Sequence, residues 1–221
     1  MCGRFSLTSS EAILNERFRL AGGAVPYVAR YNCAPTQNLA VITNDEPGCL
    51  QFFRWGLIPF WAKDEKIGNK MINARAESIA EKPSFRNAFR SRRCLVPADG
   101  FYEWKSDNGK IPYRITLKSN EPFAMAGIWE TWKSPSGSNI HSFSIITTAA
   151  NALMQPIHER MPVILPPEAE ETWLSGNNAE EIRALLKPYD PDLMQAYQVS
   201  KLVNSPRNDN PAIILPLETS A

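Results

Sequence analysis

The 221-residue sequence predicts a β-rich α+β domain built on a strongly curved, barrel-like antiparallel sheet with short flanking helices. Three observations predict it. Segments 94–96, 100–105, 112–117, 123–132 and 142–147 are rich in β-branched and aromatic residues. Turn signals punctuate the run at Asp99-Gly100, Asn108-Gly109 and Ser134-Pro135-Ser136-Gly137. Helical signals are short, and most lie outside this stretch.

In chain order, Thr8-Ser9-Ser10-Glu11 has capping-box spacing ahead of Ile13, Leu14 and Phe18, which predicts a short N-terminal helix. Tyr31-Asn32-Cys33-Ala34-Pro35-Thr36 reads as a loop, and the apolar runs 39–43 and 50–57 read as strands. Beyond a charged loop at 63–70, residues 74–93 carry helical patches, with Phe85 and Phe89 four apart. Short strands at 162–165 and 197–199 flank two late helices. One covers 167–174, with Pro167 suited to a first turn; the other is capped by Asn178, with Glu181 three residues on. No Gly/Ser-rich linker, repeat or low-complexity tract divides the chain, so 1–221 reads as one domain.

No run approaches the ~18 apolar residues of a membrane span, and the start lacks the charged-then-apolar pattern of a signal peptide. The expectation is a soluble, cytoplasmic protein without a membrane partner. Cys2, Cys33, Cys49 and Cys94 are irregularly spaced, with no C-x-x-C pair, and His141 and His158 are the two histidines. No metal site and no cofactor are expected. Cys33, Cys49 and Cys94 sit among apolar neighbours and read as small buried residues.

The formal charge of +1 does not announce nucleic-acid binding, but its distribution is uneven. Between 75 and 93, Arg75, Lys82, Arg86, Arg90, Arg92 and Arg93 outweigh Glu77 and Glu81. From 161 to 195, Glu168, Glu170, Glu171, Glu180, Glu181, Asp190 and Asp192 outweigh Arg183 and Lys187. The pattern points to a basic face with an anionic partner, or to salt bridges between the two segments.

Chemistry-bearing residues stand out at four places. Cys2 follows Met1, and a small second residue permits removal of the initiator. Cys2 then becomes a 1,2-aminothiol, whose amine condenses with an aldehyde and whose thiol closes a thiazolidine ring. Reference pKa values near ~7.7–8.0 for the amine and ~8.5 for the thiol leave a useful fraction of neutral amine at pH 7. Asn73 and Arg75 supply an amide and a planar cation suited to phosphate; a helix cap and a surface charge are the plainer reading. In Phe101-Tyr102-Glu103-Trp104-Lys105 an extended chain places Glu103 on the face of Phe101 and opposite Tyr102 and Trp104. A carboxylate among aromatics has its pKa raised and suits proton transfer near neutrality, unless that face is solvated. His158 can shuttle protons beside Arg160, or serve structurally. Trp55 belongs to the core, while Trp61 beside a charged loop could stack on a base.

The segments Met1-Cys2-Gly3-Arg4-Phe5, Tyr31-Asn32-Cys33-Ala34-Pro35-Thr36, Arg54-Trp55-Gly56-Leu57-Ile58-Pro59, Ile72-Asn73-Ala74-Arg75-Ala76-Glu77, Pro97-Ala98-Asp99-Gly100-Phe101-Tyr102-Glu103-Trp104-Lys105 and His158-Glu159-Arg160-Met161-Pro162 occur in this order along nearly the whole chain. Together they resemble the SOS-response-associated peptidase (SRAP) family, which includes abasic-site DNA-protein crosslink proteins. The resemblance implies that Cys2, freed of Met1, captures the ring-opened aldehyde of an abasic site in single-stranded DNA as a thiazolidine. It implies that Asn73 orients the Cys2 amine, that Glu103 moves protons and that His158 assists opening of the sugar ring. Arg4, Arg75 and Arg160 then grip phosphates, and Pro35, Thr36 and Trp61 shape the DNA path. Arg86, in the basic stretch, joins the expected DNA contacts, and the protein is expected to act as a monomer. Cys33, Glu159 and Phe60 depart from the residues the family pattern favours, and Phe60 bears on the geometry near Trp61. Two other readings remain open: a cysteine peptidase or N-terminal-nucleophile hydrolase using Cys2, including self-removal of Met1, and a non-covalent DNA-binding module.

Overall fold

The computed structural model describes residues 2–21, 27–107 and 109–217. Among them the chain forms β1 (Phe5–Leu7), α1 (Glu11–Phe18), β2 (Arg30–Cys33), β3 (Asn38–Thr43), β4 (Gln51–Trp55), β5 (Asn73–Arg75), α2 (Arg86–Ser91), β6 (Arg93–Ala98) and β7 (Gly100–Ser106). There follow β8 (Lys110–Leu117), β9 (Phe123–Lys133), β10 (Asn139–Ala149), β11 (Arg160–Pro162), β12 (Ile164–Leu165), α3 (Pro167–Ser175), α4 (Ala179–Ala184) and β13 (Met194–Gln198). β10 pairs with β4, β4 with β3, β3 with β6, β6 with β9, and β9 with β10 again, so five strands close into a barrel. Closure gives each of them two neighbours and removes the exposed edges an open sheet would present. A second sheet runs β13-β8-β7-β1-β2. The β-rich α+β fold with a curved, barrel-like sheet is as expected; within it β10 runs parallel to β4 and to β5.

Alternation along the barrel strands divides their side chains between two cores. Leu39, Val41, Trp55, Phe143 and Ile145 pack with Cys2, Phe5 and Phe101 from the chain start and the second sheet. Ala40, Ile42, Ala126, Ile128 and Ile146 turn the other way, beneath Leu14 of α1, Phe89 of α2 and Trp173 of α3. Strands buried on both faces read in sequence as unbroken apolar runs, which is why 39–43 and 123–132 were legible as strands. Each fully buried aromatic contributes about 1.5–3 kcal/mol of transfer free energy, so both cores are anchored by Trp and Phe. One close approach ties the loop after β4 in place. Gly56 has φ +125°, and a Cβ on Gly56 or on Gly68 would stand 2.5 Å from the other's carbonyl oxygen.

Several local expectations change, and Tyr31, Asn32 and Cys33, expected in a loop, lie in β2. The N-terminal helix is capped by Ser10, whose hydroxyl accepts from Ile13 N–H, because Thr8 and Ser9 are engaged by Asp99 instead. Residues 74–93 are helical at 86–91 and in a single 3-10 turn at Ala76–Ser78, and Asn73 is a strand residue rather than a helix cap. The charged stretch 63–70 winds into a 3-10 turn at Glu65–Lys70, and the strand expected over 50–57 is confined to Gln51–Trp55. Asp99-Gly100 does not link strands of one sheet: β6 belongs to the barrel and β7 to the second sheet, with the bend at Asp99 between them. Of the other two turns, Ser134 and Gly137 close the β9–β10 hairpin, while Asn108 lies outside the described residues.

Candidate active site

Cys2 is fully buried, three residues ahead of β1. Its backbone carbonyl accepts a 2.7 Å hydrogen bond from Asn73 Nδ2. Asn73 is brought there by β5, which pairs with β10 in the register Ile145↔Asn73 and so presents Asn73 on the same face as Ile145, the face of the Cys2 core. The approach is fixed further by the carbonyl of Ile72, which accepts from the Trp55 indole at 2.9 Å and from Ile145 N–H at 3.1 Å. Phe5 in turn packs on Trp55 with ring centroids 5.2 Å apart. Trp55 therefore holds both the strand behind Cys2 and the segment that carries Asn73.

Glu103 is 3% exposed, on the same face of β7 as Phe101, whereas Tyr102 and Trp104 belong to a separate cluster with Val199 and Val203. Burial pushes its carboxyl above the usual carboxylate range, and the charge of His158 draws it partway back. Burial likewise pushes the Cys2 thiol up, and the Glu103 charge adds to the effect. These shifts place Glu103 within electrostatic reach of both Cys2 and His158. His158 Nδ1 lies 2.9 Å from Arg160 N–H and 3.3 Å from the Arg160 carbonyl, contacts that fix the orientation of the ring. The structure thus brings Cys2, Asn73, Glu103 and His158 into one cluster drawn from four separate stretches of chain.

Five of the seven expected DNA contacts fall into three groups. Arg75 is exposed on β5 two residues from Asn73 and on the same face; Arg160 lies two residues from His158. Thr36, exposed at φ 73°, and half-buried Pro35 form a turn hooked to the barrel by Thr36 N–H on the Trp55 carbonyl, 2.8 Å. Trp61 and Phe60 are 48% and 54% exposed on the loop that Trp132 Nε1 pins through the Ala62 carbonyl at 2.7 Å. Arg4 and Arg86 stand apart from this group. Arg4 Nη1 donates to Asn32 Oδ1 at 2.7 Å and to the Val203 carbonyl at 2.8 Å, and its guanidinium lies 5.9 Å from the Trp104 ring. Arg86 is exposed on α2, whose Ala88 and Phe89 pack in the helix-covered core, on the barrel face opposite to Asn73.

The basic stretch is also thinner than its count of charges. Arg92 pairs with Glu130 at 2.7 Å, and buried Arg93 spends its donors on the carbonyls of Phe89, Arg90, Trp173, Leu174 and Gly176. Among the described residues neither forms a salt bridge with an acid of the segment 161–195, although Arg93 bonds three of its carbonyls; Glu170 of that segment is taken by Arg17 at 2.6 Å. Arg75, Lys82, Arg86 and Arg90 are the exposed cations of the stretch.

Sequence reasoning missed two groups. Asp99 is a hub: its carboxylate accepts from Ser6 Oγ at 2.7 Å, from the backbone and hydroxyl of Thr8 and Ser9, and from Arg114 Nη2 at 3.0 Å. Glu77 makes a bidentate pair with Arg160, at 2.7 and 3.0 Å. A buried polar hub beside an Asp-Gly pair has no periodic signal, and the second pair joins residues far apart in sequence. Among the described residues, no group of three or more His, Cys, Asp or Glu could hold a metal ion, and no helix is long and apolar enough to cross a membrane.

The closed five-stranded barrel thus carries a buried cysteine near the chain start, held by an asparagine, with a buried carboxylate and a histidine nearby. The family model described as SOS response associated peptidase (SRAP) matches residues 1–206, and the chain belongs to that family. The abasic site processing protein YoqW of Bacillus subtilis is 52% identical over 222 residues, covering 97% of this chain and 99% of that protein. The abasic site processing protein HMCES of Rattus norvegicus is 32% identical over 270 residues, covering 99% of this chain and 76% of that protein. A crystal structure of a protein from Bacteroides thetaiotaomicron superimposes with a TM-score of 0.89 at 36% identity, over 98% of this chain and all of that one.

Proposed function

We propose that this protein processes abasic sites by attaching itself covalently to them in single-stranded DNA, through a thiazolidine at Cys2 formed once Met1 is removed. The observation that carries the reading is the Asn73–Cys2 hydrogen bond beside buried Glu103, which sets a proton carrier and an orienting amide around the residue that would become the chain terminus. Relatives over nearly the full chain, named for abasic-site processing, support the substrate.

The Cys2 amine attacks the aldehyde carbon of the ring-opened sugar, forming a C–N bond; the carbinolamine then loses water to give an imine. Cys2 Sγ adds to the imine carbon, its proton passes to the nitrogen, and the five-membered ring closes. A carboxyl held up by burial can protonate the departing hydroxyl and then accept the thiol proton, which fits Glu103. His158, its ring oriented by the Arg160 backbone, is assigned to opening the sugar ring. Arg75 and Arg160 are assigned to phosphates flanking the lesion, Arg86 to a more distant one, and Pro35, Thr36 and Trp61 to the path of the strand. For Arg4, the bonds to Asn32 and Val203 favour fixing the chain behind Cys2 over holding phosphate. The imine also opens a route to strand scission by β-elimination, so a lyase activity belongs to the same chemistry. Self-removal of Met1 would use the thiol as a nucleophile, and its displacement toward the neutral form counts against a general thiolate peptidase. We read the protein as a monomer acting in the cytoplasm at DNA.

The test mixes Met1-processed protein with single-stranded DNA containing one abasic site and looks for a species that survives denaturation. A mass increase equal to the abasic strand less one water, lost with Cys2→Ala, is expected. No such species, or its persistence in Cys2→Ala, overturns the reading.

A further inference from the structure

Arg160 is held from two sides of unequal character. On the barrel side, Nη2 donates to the Thr147 carbonyl at 2.6 Å and approaches Thr147 Oγ1 at 3.3 Å. Its backbone is fixed as well, by the Ala149↔Arg160 register and by N–H donation to His158. On the open side Glu77 grips Nη1 and Nη2 with both carboxylate oxygens. The Arg160 side chain is 12% exposed and that of Glu77 is 55% exposed, on a 3-10 turn of three residues without a side-chain cap. If one partner yields, it is Glu77.

A carboxylate in a fork-to-fork pair with arginine presents two oxygens where a phosphodiester would present its own two. We propose that Glu77 occupies the phosphate's place on Arg160 and is displaced when the DNA strand arrives, so that Glu77 acts as a built-in competitor for the backbone. This rests on the reading of Arg160 as a phosphate contact. Glu77 is suited to the task, because hydrogen bonds from Arg160 hold its carboxyl below the usual range and keep it ionised at neutral pH. The exchange swaps one anion for another on Arg160, so the neighbourhood of His158 carries little uncompensated positive charge until DNA is seated. The consequence is weaker capture of undamaged strands, since phosphate alone must outcompete a tethered carboxylate.

The experiment measures the Kd of intact single-stranded DNA by anisotropy across a salt series for the Met1-processed wild type, Glu77→Gln, Glu77→Ala and Arg160→Gln, with thermal melts of each. Exposed ion pairs contribute up to about 1 kcal/mol, so the expected result is tighter binding by Glu77→Gln, up to about fivefold at low salt. Arg160 reaches the phosphate in wild type and variant alike, so the log–log salt slope stays that of wild type in Glu77→Gln, whereas Arg160→Gln lowers it by about 0.7. Glu77→Ala behaves as Glu77→Gln does. Unchanged or weaker binding by both Glu77 variants, with Arg160→Gln still weakened, makes Glu77 a holder of Arg160 and overturns the inference alone. Arg160→Gln binding as well as wild type overturns the phosphate reading and the inference with it.

Discussion

Asn73 Nδ2 donates to the carbonyl oxygen of Cys2 at 2.7 Å, joining a three-residue strand to residue 2, 71 positions earlier. The bond fixes where the nitrogen and sulphur of residue 2 can reach, since both hang from the same α-carbon as that carbonyl. Removing it leaves the barrel intact and loosens the reacting end.

Asn73→Ala is therefore expected to slow crosslinking about 10- to 100-fold, as displacements of about 1 Å do at reacting centres, while costing about 1 kcal/mol of stability. Single-turnover formation of the denaturation-resistant species at saturating abasic DNA checks the rate, and urea unfolding the stability. An unaltered rate would mean that the Cys2 carbonyl needs no holder.

Glu103 gives a prediction with opposite signs for stability and activity. Its carboxyl is raised by burial, so the folded protein binds that proton more tightly than the unfolded chain does. That contribution is fully present below the ordinary carboxylate range and is lost as pH rises through the raised value. Glu103→Gln removes the loss: melting at pH 7.5 rises, by about 2–4 °C for each kcal/mol regained, and the gain shrinks toward pH 4. The same variant crosslinks more slowly, and the acid limb of its pH–rate profile flattens. A lower melting temperature at pH 7.5 would contradict the raised carboxyl.

Some of this was legible in sequence and some was not, for physical reasons. Glu103 could be placed on the face of Phe101 because strand alternation is local and strict, and Trp55 could be assigned to the core from its apolar setting. The state of Asn73 could not: β5 is three residues long and exists through parallel pairing with β10, 72 positions on at Ile145↔Asn73, so local spacing favoured a helix cap. Charge counting overstated the basic face because it cannot see that Arg92 and Arg93 are spent internally. Asp99 looked like half of a turn, and its carboxylate proved to be the anchor of the N-terminal strand.

That anchor yields the third prediction. β1 meets β7 through Phe5↔Phe101 and Ser6↔Gly100 and β2 through Phe5↔Cys33 and Leu7↔Arg30, and Asp99, 7% exposed, ties it down further together with its partner Arg114, 8% exposed. Asp99→Ala strands the buried guanidinium and is expected to cost about 3–5 kcal/mol in urea unfolding. Gly100→Ala strikes the same pair from the other side, because a Cβ there would lie 2.7–2.9 Å from the Arg114 guanidinium atoms. Changes below 1 kcal/mol in both variants would rule out the brace.

The fourth prediction separates arginines that sequence counting treats alike. Arg75 is exposed two residues from Asn73, whereas Arg93 is 4% exposed with its donors on five carbonyls. A cation that meets phosphate releases counterions from the strand, and a cation buried on carbonyls releases none. Arg75→Ala should therefore lower the log–log salt slope for single-stranded DNA by about 0.7 and leave the melting temperature within about 1–2 °C of wild type. Arg93→Met should do the reverse, leaving the slope in place and destabilising the fold by at least about 2 kcal/mol through five orphaned carbonyls. Anisotropy titrations from about 50 to 200 mM salt beside urea melts decide both. A slope that falls equally in the two variants would show that the basic face follows charge count rather than exposure.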